Sequence, residues 1–224
     1  MINSREFWNE AKSSFRLLIS RPSFILTTAA PALIFSLILY MTPGRRLVWI
    51  SSYLQSFTLA GLGIAGMFTV FLGMSFLIAL VWDYQYRNLI DFRRVYRIIQ
   101  SRFSDVLLAC LGLGLLIGFF SVWFVFAGFF LAFLLIFCLP AIVISGDDPF
   151  SAIKTSFRMV YENLAEVFAF FILALALLVI GYFLVWLIRF IPLVGFLINI
   201  VFITYLLAYI GILLTRFYLS LTRY

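Results

Sequence analysis

Side chains able to do chemistry are sparse in this chain of 224 residues, and none arrives with a full set of partners. Asp147 and Asp148 stand side by side and could draw a divalent cation, but such a metal needs more oxygen ligands than two adjacent carboxylates supply. With Pro149 next in the chain, Asp148 is better read as the cap of a helix whose first residue is Pro149, because the carboxylate accepts an orphan amide and proline lacks one. Ser151 and Thr155 flank Lys154, yet a hydroxyl nucleophile needs a base within reach. The chain contains no histidine, which removes imidazole catalysis and histidine ligation of haem or zinc. Cys110 and Cys138 lie inside apolar runs without Cys-x-x-Cys spacing and read as packed thiols. The expectation is therefore no catalytic residue, no metal and no cofactor.

The remaining chemistry is electrostatic. Sixteen Lys and Arg against nine Asp and Glu give a net charge of +7. Nucleic acid is one partner for such a balance, but the basic residues flank apolar spans and do not gather in a soluble module, which points to an anionic leaflet instead. Hydrophobic residues make up 65% and charged residues 11%, and the mean hydropathy is +1.16. A soluble domain is typically about half apolar and a quarter charged, so the expected class is an all-α polytopic membrane protein. The first twenty residues carry Glu6 and Glu10 without a continuous apolar core, so no cleavable signal peptide is expected there.

Three polar amphipathic stretches divide the apolar runs. Residues 3–21 place Trp8, Ala11, Phe15 and Leu18 on one helical face and Arg5, Asn9, Lys12 and Arg16 opposite. Residues 83–105 carry an apolar stripe of Leu89, Phe92, Tyr96, Ile99 and Phe103 among five arginines. The third stretch follows Asp148. Each reads as a helix in the membrane surface. Between and after them lie spans predicted at 23–41, within 54–82, at 165–188 and at 193–215. The run 106–144 would measure about 58 Å as one helix, nearly twice an apolar thickness of ~30 Å, so two spans are expected with a reversal near 121–125 or, alternatively, at Gly128. Six spans with both termini inside leave only Arg45, Arg46 and Arg189 of the 16 basic residues outside. One span over 106–144 would move Lys154, Arg158, Arg216 and Arg223 outside and Arg189 inside, ten basic residues inside against six outside, so the positive-inside rule favours six spans.

The three surface stretches align without gaps. Trp8, Leu89 and Phe150 correspond, as do Ala11, Phe92 and Ile153, then Phe15, Tyr96 and Phe157, then Leu18, Ile99 and Val160. The basic face aligns through Lys12, Arg93 and Lys154, then Arg16, Arg97 and Arg158. Each stretch precedes two spans, so the single domain 1–224 is read as a threefold repeat of surface helix plus hairpin, over 3–82, 84–144 and 148–215. Gly61 with Ala65, and Gly114 with Gly118, have the spacing that permits close helix approach and are read as packing sites. No Asp or Glu lies centrally in a predicted span, as a coupled transporter usually requires. Trp49 and Tyr53 are placed as interfacial aromatics, Arg189 as a snorkelling cation and Asn199 as an interhelical hydrogen-bonding group.

Pro140-Ala141-Ile142, Gly146, Ala152-Ile153-Lys154 and Ser156-Phe157-Arg158 together resemble a pattern in a loose group of prokaryotic six-span membrane proteins of unknown function. The group includes the membrane domain fused to some glycerophosphodiester phosphodiesterases. The resemblance implies an architecture of six spans with interleaved surface helices. It implies no phosphodiesterase activity, which belongs to a separate soluble domain with catalytic histidines.

The functional expectation is a non-enzymatic protein of the inner (cytoplasmic) membrane, with both termini cytoplasmic. It would bind anionic lipid through Lys12, Arg16, Arg93, Arg97, Lys154 and Arg158 and serve as a scaffold, assembly or envelope-homeostasis factor. A homo-oligomer or a membrane-protein partner fits this reading, and nucleic acid does not. The alternative is a transporter, channel or lipid-translocating protein with a path between the repeats.

Overall fold

The computed structural model describes residues 4–41, 52–188 and 192–222. Among these, the ordered secondary structure is entirely helical. Helix α1 (Ser4–Ser20) meets α2 (Ser23–Met41) at 90°, the corner falling at Arg21 and Pro22. Helix α3 (Ser52–Arg87) is followed by α4 (Phe92–Ser101), α5 (Phe103–Trp123) and α6 (Val125–Leu134). A short α7 (Cys138–Pro140) runs directly into a π-helical turn, Ala141–Ser145. Then come α8 (Pro149–Glu162), α9 (Leu164–Ile188) and α10 (Pro192–Thr222). The expected turn at 42–46, Trp49, Arg189 and the side chain of Tyr53 lie outside what is described.

Five stretches within these helices are long and apolar enough to cross a membrane: Ile64–Arg87, Phe103–Phe120, Phe126–Ser145, Leu164–Gly181 and Gly195–Thr222. The bent pair Trp8–Ser20 and Ser23–Ile34, from α1 and α2, passes the same test only when taken together and is the sixth candidate. The surface supports the same reading. Leu108, Leu111, Leu115 and Phe119 follow one another along a single exposed face of α5. Such a face is costly in water and at home in lipid.

Helix α3 is the hub, packed against α2, α5 and α10, with Leu77 to Val81 buried on every side. At 36 residues it is longer than an apolar layer requires, and its last turns project as a charged end. The second polar stretch thus divides differently from the expectation for 83–105. Asp83 to Arg87 continue α3, a left-handed Asn88 (φ 55°) turns the chain, and the surface helix proper begins at Phe92.

The expected reversal near 121–125 falls at Phe124, where α5 ends, and α6 packs back along α5. A further interruption, at Leu135 to Phe137, has a local cause. Pro140 provides no N–H for the carbonyl of Ile136, and its ring crowds that carbonyl, so the regular ladder is interrupted just upstream. Ser156 of α8 repairs the gap: its hydroxyl donates to Leu134 O at 2.7 Å and accepts from Phe137 N at 3.1 Å. The adjoining core is aromatic. Phe170 and Phe217 stack with centroids 5.5 Å apart, and Phe137 lies 6.0 Å from Phe217.

Glycines decide where helices approach closely. A Cβ on Gly118 would lie 3.1 Å from Ile64 Cγ1 and one on Gly114 3.4 Å from Ile64 O, so this pair seats α5 on α3. The expected pair Gly61 and Ala65 has no such neighbour among the described residues: a Cβ on Gly61 meets nothing within 4 Å, and Ala65 is exposed. Close approach on α3 occurs at Gly73 instead, where a Cβ would fall 2.2 Å from Pro31 Cγ of α2. Because a proline ring cannot swing aside, Gly73→Ala is expected to destabilise the purified protein by about 1–3 kcal/mol. Gly61→Ala should be neutral, or stabilising by up to ~1 kcal/mol through helix propensity. Equal denaturation midpoints for the two variants would refute this assignment of the packing face.

Candidate membrane-surface site

Each surface helix is fastened to the bundle by residues that differ from one helix to the next. Helix α1 lies on α10: Tyr209 Oη donates to Ala11 O at 3.3 Å, and Arg216 bonds Ser13 Oγ and lies 3.7 Å from Glu10 Oε2. Helix α4 is started by Asp91, whose Oδ1 accepts from the amides of Arg93 and Arg94 at 3.0 and 3.3 Å. It is tied to α3 by Arg94 Nε, 3.2 Å from Asp83 Oδ1. Helix α8 begins as expected, with Pro149 first and Asp148 Oδ2 accepting from Ser151 N at 3.2 Å. Hydrogen bonds from Ser151 hold the exposed Asp148 carboxyl below its ordinary value of 3.8, because they favour the charged form. The neighbouring Asp147 Oδ2 accepts from Thr155 Oγ1 at 2.8 Å, which occupies the hydroxyl beside Lys154.

Contacts place all three surface helices at one end of the bundle. Tyr84, at the projecting end of α3, stacks edge-on with Phe24 and lies 6.0 Å below the Arg21 guanidinium at the α1–α2 corner. One residue earlier, Asp83 holds α4. The α4–α5 corner reaches the end of the π turn through Arg102, whose guanidinium donates to Ile142 O at 2.8 Å and Val143 O at 3.1 Å. The chain leaves that turn through a left-handed Gly146 (φ 82°), where a Cβ would sit 2.6 Å from Arg102. Ser145 bonds Tyr218 near the end of α10 at 2.7 Å.

All six cations singled out from sequence, Lys12, Arg16, Arg93, Arg97, Lys154 and Arg158, are exposed at this end. Among the described residues none of the six forms an ion pair. The apolar stripes are divided between contact with the protein and exposure. Leu18, Ile99 and Val160 are only 2%, 3% and 1% exposed and face the protein, whereas Trp8 and Phe150 are 61% and 79% exposed; Leu89, expected on the second surface helix, falls in the turn before α4 and is 69% exposed there. Phe15, Tyr96 and Phe157 are also exposed. The last aligned position of each stripe therefore docks the helix and the exposed aromatics stand beside the cations, while the aligned Ala11, Phe92 and Ile153 differ, being buried, exposed and half-buried. On α4 this produces an open groove lined by Phe92, Arg93, Tyr96, Arg97 and Gln100.

Two charged residues at this end escape sequence reasoning. Asp83 is 5% exposed, and its Oδ2 has no hydrogen-bond partner among the described residues. Arg102 acts through residues 40 positions away. The only local signal was that Asp83 follows an unbroken apolar helix, so its side chain had to be accommodated against that helix's neighbours. Asp105 and Glu166 fall in the first turns of α5 and α9, where the helix dipole favours negative charge. Asn199 Oδ1 is buried with no partner among the described residues, so the expected interhelical bond through that oxygen is absent.

Fold and site together define a class, the helical membrane protein: long apolar helices bearing amphipathic, cation-studded helices at one end. No family model, curated protein or solved structure matches the chain.

Proposed function

We propose that the protein is a non-enzymatic six-span protein of a prokaryotic inner membrane that binds anionic lipid at the cytoplasmic leaflet. There it serves as a scaffold, assembly or envelope-homeostasis factor, alone or with a homo-oligomeric or membrane-protein partner. The observation that carries this reading is the set of six exposed cations, without ion pairs among the described residues and flanked by exposed aromatics, on three helices at one end of the bundle. In the proposed orientation that end is cytoplasmic, and so are both termini. The three surface helices, each followed by two apolar helices, are copies of one unit. The matched burial of Leu18, Ile99 and Val160, and the matched exposure of Phe15, Tyr96 and Phe157, support that repeat.

The resemblance to prokaryotic six-span proteins belongs to the same proposal. Its motif residues have identifiable structural tasks: Pro140 interrupts the fourth span, Gly146 makes the left-handed exit beside Arg102, and Ser156 satisfies the interrupted backbone. A transport path between the repeats is the competing reading. The aromatic packing of Phe137, Phe170, Phe217 and Tyr218 supports the scaffold instead, because it fills the space beside the broken span.

Each basic residue near an anionic surface contributes about 1 kcal/mol. Even if a third of the sixfold sum survives, roughly 2 kcal/mol, replacing all six with glutamine should lower anionic-lipid retention about thirtyfold. Retention by the purified full chain, measured by native mass spectrometry against a zwitterionic control, tests this. Unchanged retention would overturn the lipid-binding reading.

A further inference from the structure

Helix α4 differs from its two counterparts. Two of the arginines on or beside it are engaged within the fold: Arg94 pairs with Asp83, and Arg102 donates to the carbonyls of Ile142 and Val143. Arg93 and Arg97 remain exposed, with no side-chain partner among the described residues. Four residues apart on one helical face, their Cβ atoms stand about 5–6 Å from each other. With Phe92, Tyr96 and Gln100 they line the open groove. At the aligned positions α1 and α8 each pair one lysine with one arginine, and Gln100 is replaced by Ile19 and Tyr161.

We propose that this groove is a headgroup site for a phosphomonoester phospholipid of the same membrane, a specificity that rests on the lipid-surface reading above. Guanidinium groups bind phosphate oxygens in pairs through a planar fork, whereas an ammonium acts as a point charge. A phosphomonoester presents three terminal oxygens and a charge between −1 and −2, enough acceptors to engage two forks at once. A diester presents two non-bridging oxygens and one charge, which a single fork satisfies. The Gln100 amide, one turn beyond Arg97, donates to a remaining phosphate or ester oxygen. Phe92 and Tyr96 supply the apolar floor for the glycerol and upper acyl carbons.

The test competes diacylglycerol phosphate against a phosphodiester lipid of the same acyl chains on the purified full chain, read by native mass spectrometry. The wild-type protein should prefer the monoester by about fivefold or more. Arg93→Lys with Arg97→Lys conserves charge and should reduce the preference below about twofold while total anionic-lipid retention persists. Gln100→Ala should lower it partway, and Arg16→Lys with Arg158→Lys should leave it unchanged. The wild-type preference should also grow as the second phosphate proton leaves near pH ~6. A preference unmoved by the Arg93 and Arg97 changes, or moved equally by those at Arg16 and Arg158, overturns the groove assignment. If the six-glutamine protein still loses retention in that case, the lipid-surface reading stands without it. If the six-glutamine protein retains lipid, both fall.

Discussion

Replacing Ser156 with alanine is expected to cost about 2–3 kcal/mol of stability, although the change removes one atom from a surface helix. The hydroxyl is fully buried and serves two backbone groups at once, the carbonyl of Leu134 and the amide of Phe137. Alanine leaves both unpaired where water cannot replace it, and each buried unsatisfied group costs about 1–3 kcal/mol. The small cavity left by the oxygen adds little by comparison. Threonine keeps the hydroxyl and adds a methyl group to a packed site, so Ser156→Thr should lose stability through overpacking while its backbone hydrogen bonds persist. Denaturation midpoints of the detergent-solubilised variants measure the loss. Hydrogen exchange locates it, with accelerated exchange at Phe137 N–H in the alanine variant alone. An alanine variant as stable as the parent would mean that the break at 135–137 needs no help from α8.

The second large effect is expected at Arg94. Asp83 is 5% exposed, and its nearer cation is Arg94 at 3.2 Å; Arg87 stands 4.0 Å away with more than half its side chain in solvent. Arg94→Ala therefore leaves a buried carboxylate with one weak partner. Breaking a fully buried pair costs about 3–5 kcal/mol, and because Arg94 retains about a third of its surface in solvent, about 2–3 kcal/mol is expected here. The loss should concentrate in the surface helix, with faster hydrogen exchange and trypsin cleavage over residues 92–101. Removing both charges, as in Asp83→Leu with Arg94→Met, should recover most of the stability, since the cost arises from the stranded charge. A double variant no better than Arg94→Ala would show that lost packing, not an uncompensated carboxylate, is responsible.

These two residues illustrate how differently parts of the chain were legible. What repeats within a few positions could be read directly. The apolar run at 23–41 is α2, and the run at 165–188 is α9 but for one residue. Asp148 and Pro149 start α8 because capping involves amides only two or three residues away. Helical periodicity groups Lys12, Arg16, Arg93, Arg97, Lys154 and Arg158 on the polar faces, and all six are exposed.

What the tertiary structure decided involves residues far apart in the chain. Ser156 meets a backbone break 19 residues earlier, Arg102 meets carbonyls 40 residues later, and Thr28 donates to Thr204 O across 176 positions. The local pattern favours Gly61, one turn from Ala65, over Gly73, yet it is Gly73 that faces a proline ring, while a Cβ on Gly61 meets nothing within 4 Å. Likewise Asp83 reads in sequence as the first residue of a polar stretch, yet it is the buried end of a long helix. Hydropathy, periodicity and capping are short-range properties and determined the all-helical membrane class, the principal helix limits and the basic faces. The choice of which glycine admits a neighbour, which arginine is engaged and which left exposed depends on the docking of helices. That docking is set by steric fit and by satisfying buried polar groups between distant segments, information no single stretch of this sequence contains.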